Sequence, residues 1–289
     1  MDPETALWKR ISAASGSHLA TTTMATPGKS SDMTATETAA QPVRRVKWQL
    51  AQVREIVVET YRVKSLMLHV PAWQGHLPGQ HVDIRLTAAD GYQAQRSYSI
   101  ASPPEDELLS LTVERVDNGE VSPYLVDELR AGNQFELRGS IGGYFVWTAA
   151  MGGPLYLIAG GSGIVPLMAM LRHRDRRNGR APALLLYSSR SLEDVIYREE
   201  LDMMARGGPD LRVVHTLSRK QPEGWMGRRG RIDKALLAET CFPPEQNPKI
   251  FVCGSTPFVE DVSRFLVELG HDPLTIKTER FGPSGGQAS

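Results

Sequence analysis

From Arg44 to Trp147 apolar and polar residues alternate in short runs: KWQLAQVREIVVET, KSLMLHV, QHVDIRL, QAQRSYSI, LLSLTVERV and QFELRG. A period of two turns one side of each run toward a core and the other toward water, so each run reads as a strand. Turn-forming clusters separate them, among them LPGQ, ADGY, DNGE and AGNQ. Strands this closely spaced, with little helix between them, predict an antiparallel barrel or sandwich. One helix is predicted at SPYLVDELRAG, with Ser122 as N-cap, Pro123 at the first helical position and Gly132 as the stop.

After GGPL at 152–155 the pattern changes. Continuous apolar runs (PLYLIA, APALLLY, LRVVHTL, KIFVCG, LTIKT) alternate with the helical segments IVPLMAMLRHRDRR, DVIYREELDMMA, DKALLAE and PFVEDVSRFLVELG. Apolar strands separated by helices make βαβ units, whose parallel sheet is covered on both faces. The boundary between the two patterns falls near 148–153. The chain is therefore expected to hold a β-barrel domain at 44–150 and an α/β domain at 151–283. Residues 1–43, rich in Thr, Ala and Ser without apolar periodicity, are expected to form a disordered tail, and 284–289 a second one. Met24 and Met33 are alternative starts within the first.

Composition narrows the class. At 289 residues there is room for two ordinary domains, and a formal charge of zero gives no pull toward nucleic acid or an anionic membrane. No apolar run approaches the ~20 residues a membrane span needs. The two cysteines, Cys241 and Cys253, are too few for a four-cysteine iron–sulfur cluster. They point to a reducing, cytoplasmic setting. The histidines show no ligand spacing, so no metal site is expected.

In an open parallel sheet, ligands sit at the carboxyl ends of the strands, where helix N-termini present free N–H groups. Those ends read GGSGIVP, SSR, SRK, CGS and ERFG. Glycine lets a backbone approach phosphate closely, and Pro166 pre-sets a first helical turn. GGSGIVP is not a Walker A loop, because no GK[ST] follows. A tight strand-to-helix connection alone would also favour glycine. The serines, arginines, cysteine and aromatic residue at the other ends together suit a phosphorylated, planar ligand. In the first half, Arg96 and Tyr98 stand where a half-buried strand normally carries Val or Ile.

These segments resemble, in order, motifs of the ferredoxin–NADP⁺ reductase superfamily, from about Arg44 to Pro283. RSYS at 96–99 is similar to its R-x-Y-[ST] flavin motif and GEVS at 119–122 to its G-x-x-S phosphate turn. GSGIVP at 161–166 is similar to its G-[TS]-G-x-x-P nucleotide loop, VCGS at 252–255 to its C-G motif, and TERFG at 278–282 to its terminal E-x-[FYW] segment. The resemblance implies a flavin-binding antiparallel β-barrel followed by a nicotinamide-nucleotide domain. It implies that Arg96 pairs with flavin phosphates, that Tyr98 lies against the isoalloxazine ring and that Ser99 donates to flavin N5. Ser97, Thr112, Val113, Gly119, Val121 and Ser122 complete the expected flavin contacts. FAD is expected over FMN, because GEVS offers a second phosphate contact.

For the nucleotide, the resemblance implies Gly161, Ser162, Gly163 and Pro166 at the pyrophosphate, with Arg190 at the pyrophosphate or ribose. TLSRKQ at 216–221 resembles the S-R-x-Q segment of NADP-using members. That assigns Ser218 and Arg219 to the 2′-phosphate, with Arg228 or Arg229 as a second cation. Cys253 and Gly254 would lie beside the nicotinamide, Glu279 would stabilise that site and Phe281 would cover the flavin face. The chain runs on past Phe281, unlike plastid-type members, which leaves a gating role for Phe281 open. The implied activity is hydride transfer from NADPH to FAD and single-electron delivery to a separate acceptor: a ferredoxin, Rieske, haem or molybdenum protein. Two rival readings are an NADH-dependent reductase component of an oxygenase and a non-catalytic flavin-binding electron-transfer subunit.

Overall fold

The computed structural model describes residues 46–281 apart from 178, 180 and 209. The two terminal tails, Arg44 and Arg45 of the expected barrel domain, and Gly282 and Pro283 of the expected α/β domain lie outside these residues.

The alternating runs form six antiparallel strands: β1 (Gln49–Thr60), β2 (Val63–His69), β3 (His81–Thr87), β4 (Gln93–Ser99), β5 (Leu109–Glu114) and β6 (Gln134–Ile141). Their order is β4-β3-β6-β1-β2-β5. An Ile100–Leu111 bridge, with Ala101 N–H donating to Ser110 O at 2.8 Å, ties the end of β4 to β5 and closes the barrel. Inside it pack Val53, Leu66, Leu68, Val82, Ile84, Leu111 and Leu137, all essentially inaccessible to water. They are the apolar members of the period-two pattern.

The predicted barrel helix is shorter and wider than expected. Residues Tyr124–Glu128 form one widened turn in which Leu129 N–H bonds back to Tyr124 O at 3.0 Å. The backbone turns extended at Leu129, and Gly132, with φ +90°, serves the next turn instead. Ser122 does not cap this helix. Its Oγ accepts from Val116 N–H at 3.0 Å and so closes the 116–122 turn.

The second half is a parallel sheet of β7 (Leu155–Gly160), β8 (Ala183–Ser189), β9 (Leu211–Leu217), β10 (Arg228–Arg229), β11 (Lys249–Ser255) and β12 (Ile276–Phe281), in the order β10-β9-β8-β7-β11-β12. Helices α1 (Ile164–Arg176), α2 (Arg198–Arg206), α3 (Lys234–Thr240) and α4 (Thr256–Glu268) cover it. α3 starts where Asp233 accepts from Leu236 N–H at 2.8 Å, an N-cap bond. α2 starts later than its periodicity predicts, because Tyr197 takes a left-handed φ of 59°. The sheet order reverses between β7 and β11, which makes the carboxyl ends of those two strands the place where a ligand crevice opens.

The turn after β7 is built for that crevice. A Cβ on Gly163 would stand 2.2 Å from the Cys253 carbonyl oxygen, so only glycine lets the GSG turn lie flat on β11. Gly163→Ala is expected to cost about 1–3 kcal/mol, because backbone would have to yield to backbone. A lower urea midpoint with an unchanged slope is the measurement; a variant as stable as the parent would refute the close packing.

Candidate functional site

The two halves open on one cavity of about 1230 Å³, larger than the 300–1000 Å³ typical of a single small-molecule site. Its barrel wall carries all of RSYS, Thr112 and all of GEVS. Its sheet wall carries Gly161 and Ser162, then Arg190, Ser218 and Arg219, and finally Gly254, Glu279 and Phe281. Segments far apart in sequence thus share one lining.

On β4 the even positions Ala94, Arg96 and Tyr98 face one way, so a strand period of two delivers the guanidinium and phenol together. Burial pushes the Tyr98 phenol well above its ordinary pKa, so it stays protonated. Ser97 donates to Asp83 Oδ1 at 2.6 Å, and Arg138 Nε donates to the other oxygen of Asp83 at 3.0 Å, which fixes the strand. The Oγ of Ser99 is buried with no partner in the protein. Buried polar atoms without a partner are uncommon, and here the orphan lines a cavity. That hydroxyl, the Arg96 fork and the glycine-lined turns fit a flavin nucleotide with phosphates.

The cations of the barrel wall are already engaged. Arg96 Nη2 donates to Glu120 Oε2 at 2.5 Å, and Tyr92 Oη donates to Glu120 Oε1 at 2.5 Å. The Tyr92 hydroxyl, then Arg96, holds the Glu120 carboxyl below its usual range. Arg62, not anticipated from the sequence, lines the same wall and donates to Asp117 at 3.0 Å.

Some expected residues are placed elsewhere. Val113, Gly163 and Pro166 are buried and do not line the cavity. The Cys253 side chain is fully buried in the core beneath it, so Gly254 alone represents that pair at the wall. Burial, and then Glu279, which pairs with it across β11 and β12, push the thiol well up and keep it protonated. Arg228 and Arg229 form the two-residue edge strand β10, which the sequence reading missed. Arg228 pairs with Glu239 and Arg229 donates to Trp225 O at 3.3 Å, so neither reaches the cavity. The second cation at that end is Arg231, two residues past Arg229 in the same GRRGR run.

The loops of the sheet wall are joined in two pairs. Ser218 N–H and Oγ both donate to Ser189 O, and Arg219 N–H donates to Arg190 O at 2.9 Å. The Phe258 ring covers Gly160 and Gly254, where a Cβ would come within 3.0 and 2.6 Å of it. Glu279 Oε2 is buried without a partner, and burial pushes its carboxyl up to about 7. Phe281 is half-buried against the core that the two halves share. Among the described residues no group of His, Cys, Asp and Glu could hold a metal, and no helix is long and apolar enough to cross a membrane.

A barrel and a parallel sheet meeting at one such cavity define a flavin- and nicotinamide-dependent oxidoreductase. Residues 49–146 match the oxidoreductase FAD-binding domain family and 157–264 the oxidoreductase NAD-binding domain family. The chain is 32% identical over 252 residues to the glycine betaine monooxygenase reductase subunit of Pseudomonas aeruginosa, covering 84% of this chain and 68% of that one. It is 35% identical over 213 residues to ferredoxin–NADP reductase B of Sorangium cellulosum, covering 70% and 84%. The FAD/NAD-binding domain of a nitric oxide dioxygenase from Vibrio cholerae superposes with a TM-score of 0.73 at 26% identity, over 81% of this chain and 99% of that one. The chain belongs to the ferredoxin–NADP⁺ reductase-like family of NAD(P)H-dependent flavoprotein oxidoreductases.

Two outcomes are expected from this geometry. Glu120→Gln removes a carboxylate that would compete with phosphate for Arg96, so the flavin dissociation constant should fall by about twofold to fivefold, within the range an exposed ion pair carries. Flavin fluorescence titration measures it, and unchanged or weaker binding would count against the assignment. Glu279 has a raised folded pKa, so its contribution to stability is fully present below its ordinary value of 4.5 and is lost as pH rises toward about 7. Glu279→Gln should flatten that limb of the Tm-against-pH curve; an unaltered limb would show that another group causes it.

Proposed function

We propose that this chain draws a hydride from NADPH, through FAD held in the barrel, and delivers single electrons to a separate acceptor protein. One observation carries the reading: the RSYS and GEVS segments and the strand ends of the parallel sheet line a single cavity large enough for two nucleotides. When bound, FAD takes up the hydride of a reduced nicotinamide and passes its two electrons on singly. The protein's work is then alignment and exclusion of water.

Arg96 forks the flavin phosphates, which its planar geometry suits. The protonated phenol of Tyr98 lies against the flavin, and the unpartnered Ser99 hydroxyl donates to it. Val113 and Cys253 act from beneath the wall, through packing. Gly161 and Ser162 approach the nucleotide pyrophosphate with free N–H groups at the start of α1. Arg219, with Arg231 at the same end of the cavity, holds the 2′-phosphate that distinguishes NADPH from NADH, and the Ser218 hydroxyl joins them by turning from Ser189 O to the phosphate.

The acceptor we favour is a ferredoxin or an oxygenase component, following the names of the relatives. The glycine betaine monooxygenase reductase relative supports a second reading, a reductase component of an oxygenase. Both cysteines are free, as the proposed cytoplasmic setting requires.

Anaerobic titration of the yellow protein with NADPH and with NADH decides between the nucleotides. NADPH should bleach the flavin at the higher kcat/KM. Arg219→Ala should lower that value about 10- to 100-fold, the worth of a charge-assisted bond, with little effect on NADH. Equal use of both nucleotides by the parent would sink the NADPH assignment.

A further inference from the structure

A chain of hydrogen bonds that starts at Tyr197 joins the two halves of the molecule. Its Oη donates to Thr112 Oγ1 on β5. Thr112 and Ser65 hydroxyls lie 2.7 Å apart, and Ser65 Oγ donates to Glu59 Oε1 at 2.6 Å. A hydroxyl has one hydrogen, so Ser65, which spends its own on Glu59, must accept from Thr112. The bonds therefore run one way, from Tyr197 through Thr112 and Ser65 to Glu59. The Tyr197 backbone also lies near enough to the Glu59 carboxyl to favour its charged form. Thr112, Ser65 and Glu59 belong to the barrel; Tyr197 belongs to the sheet half.

The residue is held on its other sides too. The Arg172 guanidinium stacks 4.8 Å from the Tyr197 ring centre, bonds Glu200 through two nitrogens at 2.8 and 2.6 Å, and donates to Ala101 O of the barrel at 2.8 Å. Tyr197 is buried and keeps a left-handed φ of 59°, a strained conformation for a non-glycine residue. Such a conformation persists where surrounding bonds over-determine it. Immediately before it run Arg190, Asp194 and Ile196, which line the cavity from the sheet side. Thr112 lines it from the barrel side.

We infer that Tyr197 is a positioning residue that clamps the nucleotide-gripping segment 190–196 to the flavin wall at Thr112 and thereby sets the spacing of the two cofactors. The inference rests on the function proposed above and concerns the hydride step. Misplacement of reacting groups by about 1 Å can slow a reaction by two orders of magnitude.

Tyr197→Phe removes one hydroxyl and leaves the backbone and ring in place. In anaerobic rapid mixing of the flavin-loaded chain with NADPH, the limiting rate of flavin reduction is expected to fall about tenfold, the effect of one such bond lost at the barrier. Half-saturation and flavin content should stay within about twofold, and the long-wavelength absorption produced by adding NADP⁺ should weaken. Thr112→Val breaks the same bond from the other side, and the double variant should be no slower than the slower single one. A limiting rate and spectrum equal to the parent's overturn the inference. So does a variant that only melts earlier while its folded fraction reacts at the parent rate, because that effect is merely structural. A parent chain that neither nucleotide reduces overturns the proposed function itself, and this inference with it.

Discussion

One apolar core runs across the boundary between the two sheets, and the cleft depends on it. Val63, Ala101, Phe145 and Trp147 of the barrel half share a cluster with Leu157, Leu167, Met170 and Phe251 of the other. The Phe145 and Phe251 rings meet edge to face at 5.3 Å, and Trp147 is 1% exposed. Interfaces between domains are commonly polar enough to let them move; a continuous hydrophobic core works against that. Because the halves share this core, residues on the two cavity walls keep a fixed separation. The fit is close where Gly79 of the barrel meets the sheet half, since a Cβ there would come within 2.8 Å of the Met170 methyl group.

The polar residues above that core follow a different logic. Arg62 and Arg96 face the cavity yet are each paired with a carboxylate, Asp117 and Glu120. Such pairs are weak when exposed. They keep the cations in place without committing them, so a phosphate with several acceptor oxygens can compete for them. On the sheet side, hydrogen bonds between adjacent strand ends join Ser218 to Ser189 and Arg219 to Arg190, and rigidity comes from the backbone. Rigid elements bring side chains to one point more reliably than separate loops do.

Both sheets were legible in the sequence because periods of two and continuous apolar runs follow directly from which faces meet water. The Arg96–Tyr98 pair was legible for the same reason, as a break in the period. What was not legible depended on contacts between distant segments. Arg228 and Arg229 read as free cations, but Thr216 and Leu217 recruit them into an edge strand, and Arg231 comes to the cavity in their place. Ser122 read as a helix cap, yet it closes the turn before the helix, because the Val116 amide reaches it first. Cys253 carried a nucleotide-site motif, while strand alternation turned its side chain into the core. Tyr197 read as part of a helical segment, and nothing local showed that its partners lie 85 residues away at Thr112 and, by way of Ser65, on β1.

Two partly buried carboxyls show how the same desolvation serves different ends. Burial raises the pKa of both Glu59 and Glu279. At Glu59 the cost is partly offset: Ser65, the nearby Arg172 cation and the Tyr197 backbone favour the charged form against the nearby Glu200, and the group anchors the chain of hydroxyls between the domains. At Glu279 nothing offsets it, one oxygen has no partner, and the carboxyl titrates near neutrality beside the cavity. A fold gains nothing in stability from such a group, since an apolar residue would fill the space without the desolvation cost. Its position at the end of β12, in register with Cys253 and in the cavity wall, is therefore best accounted for by what the cavity holds.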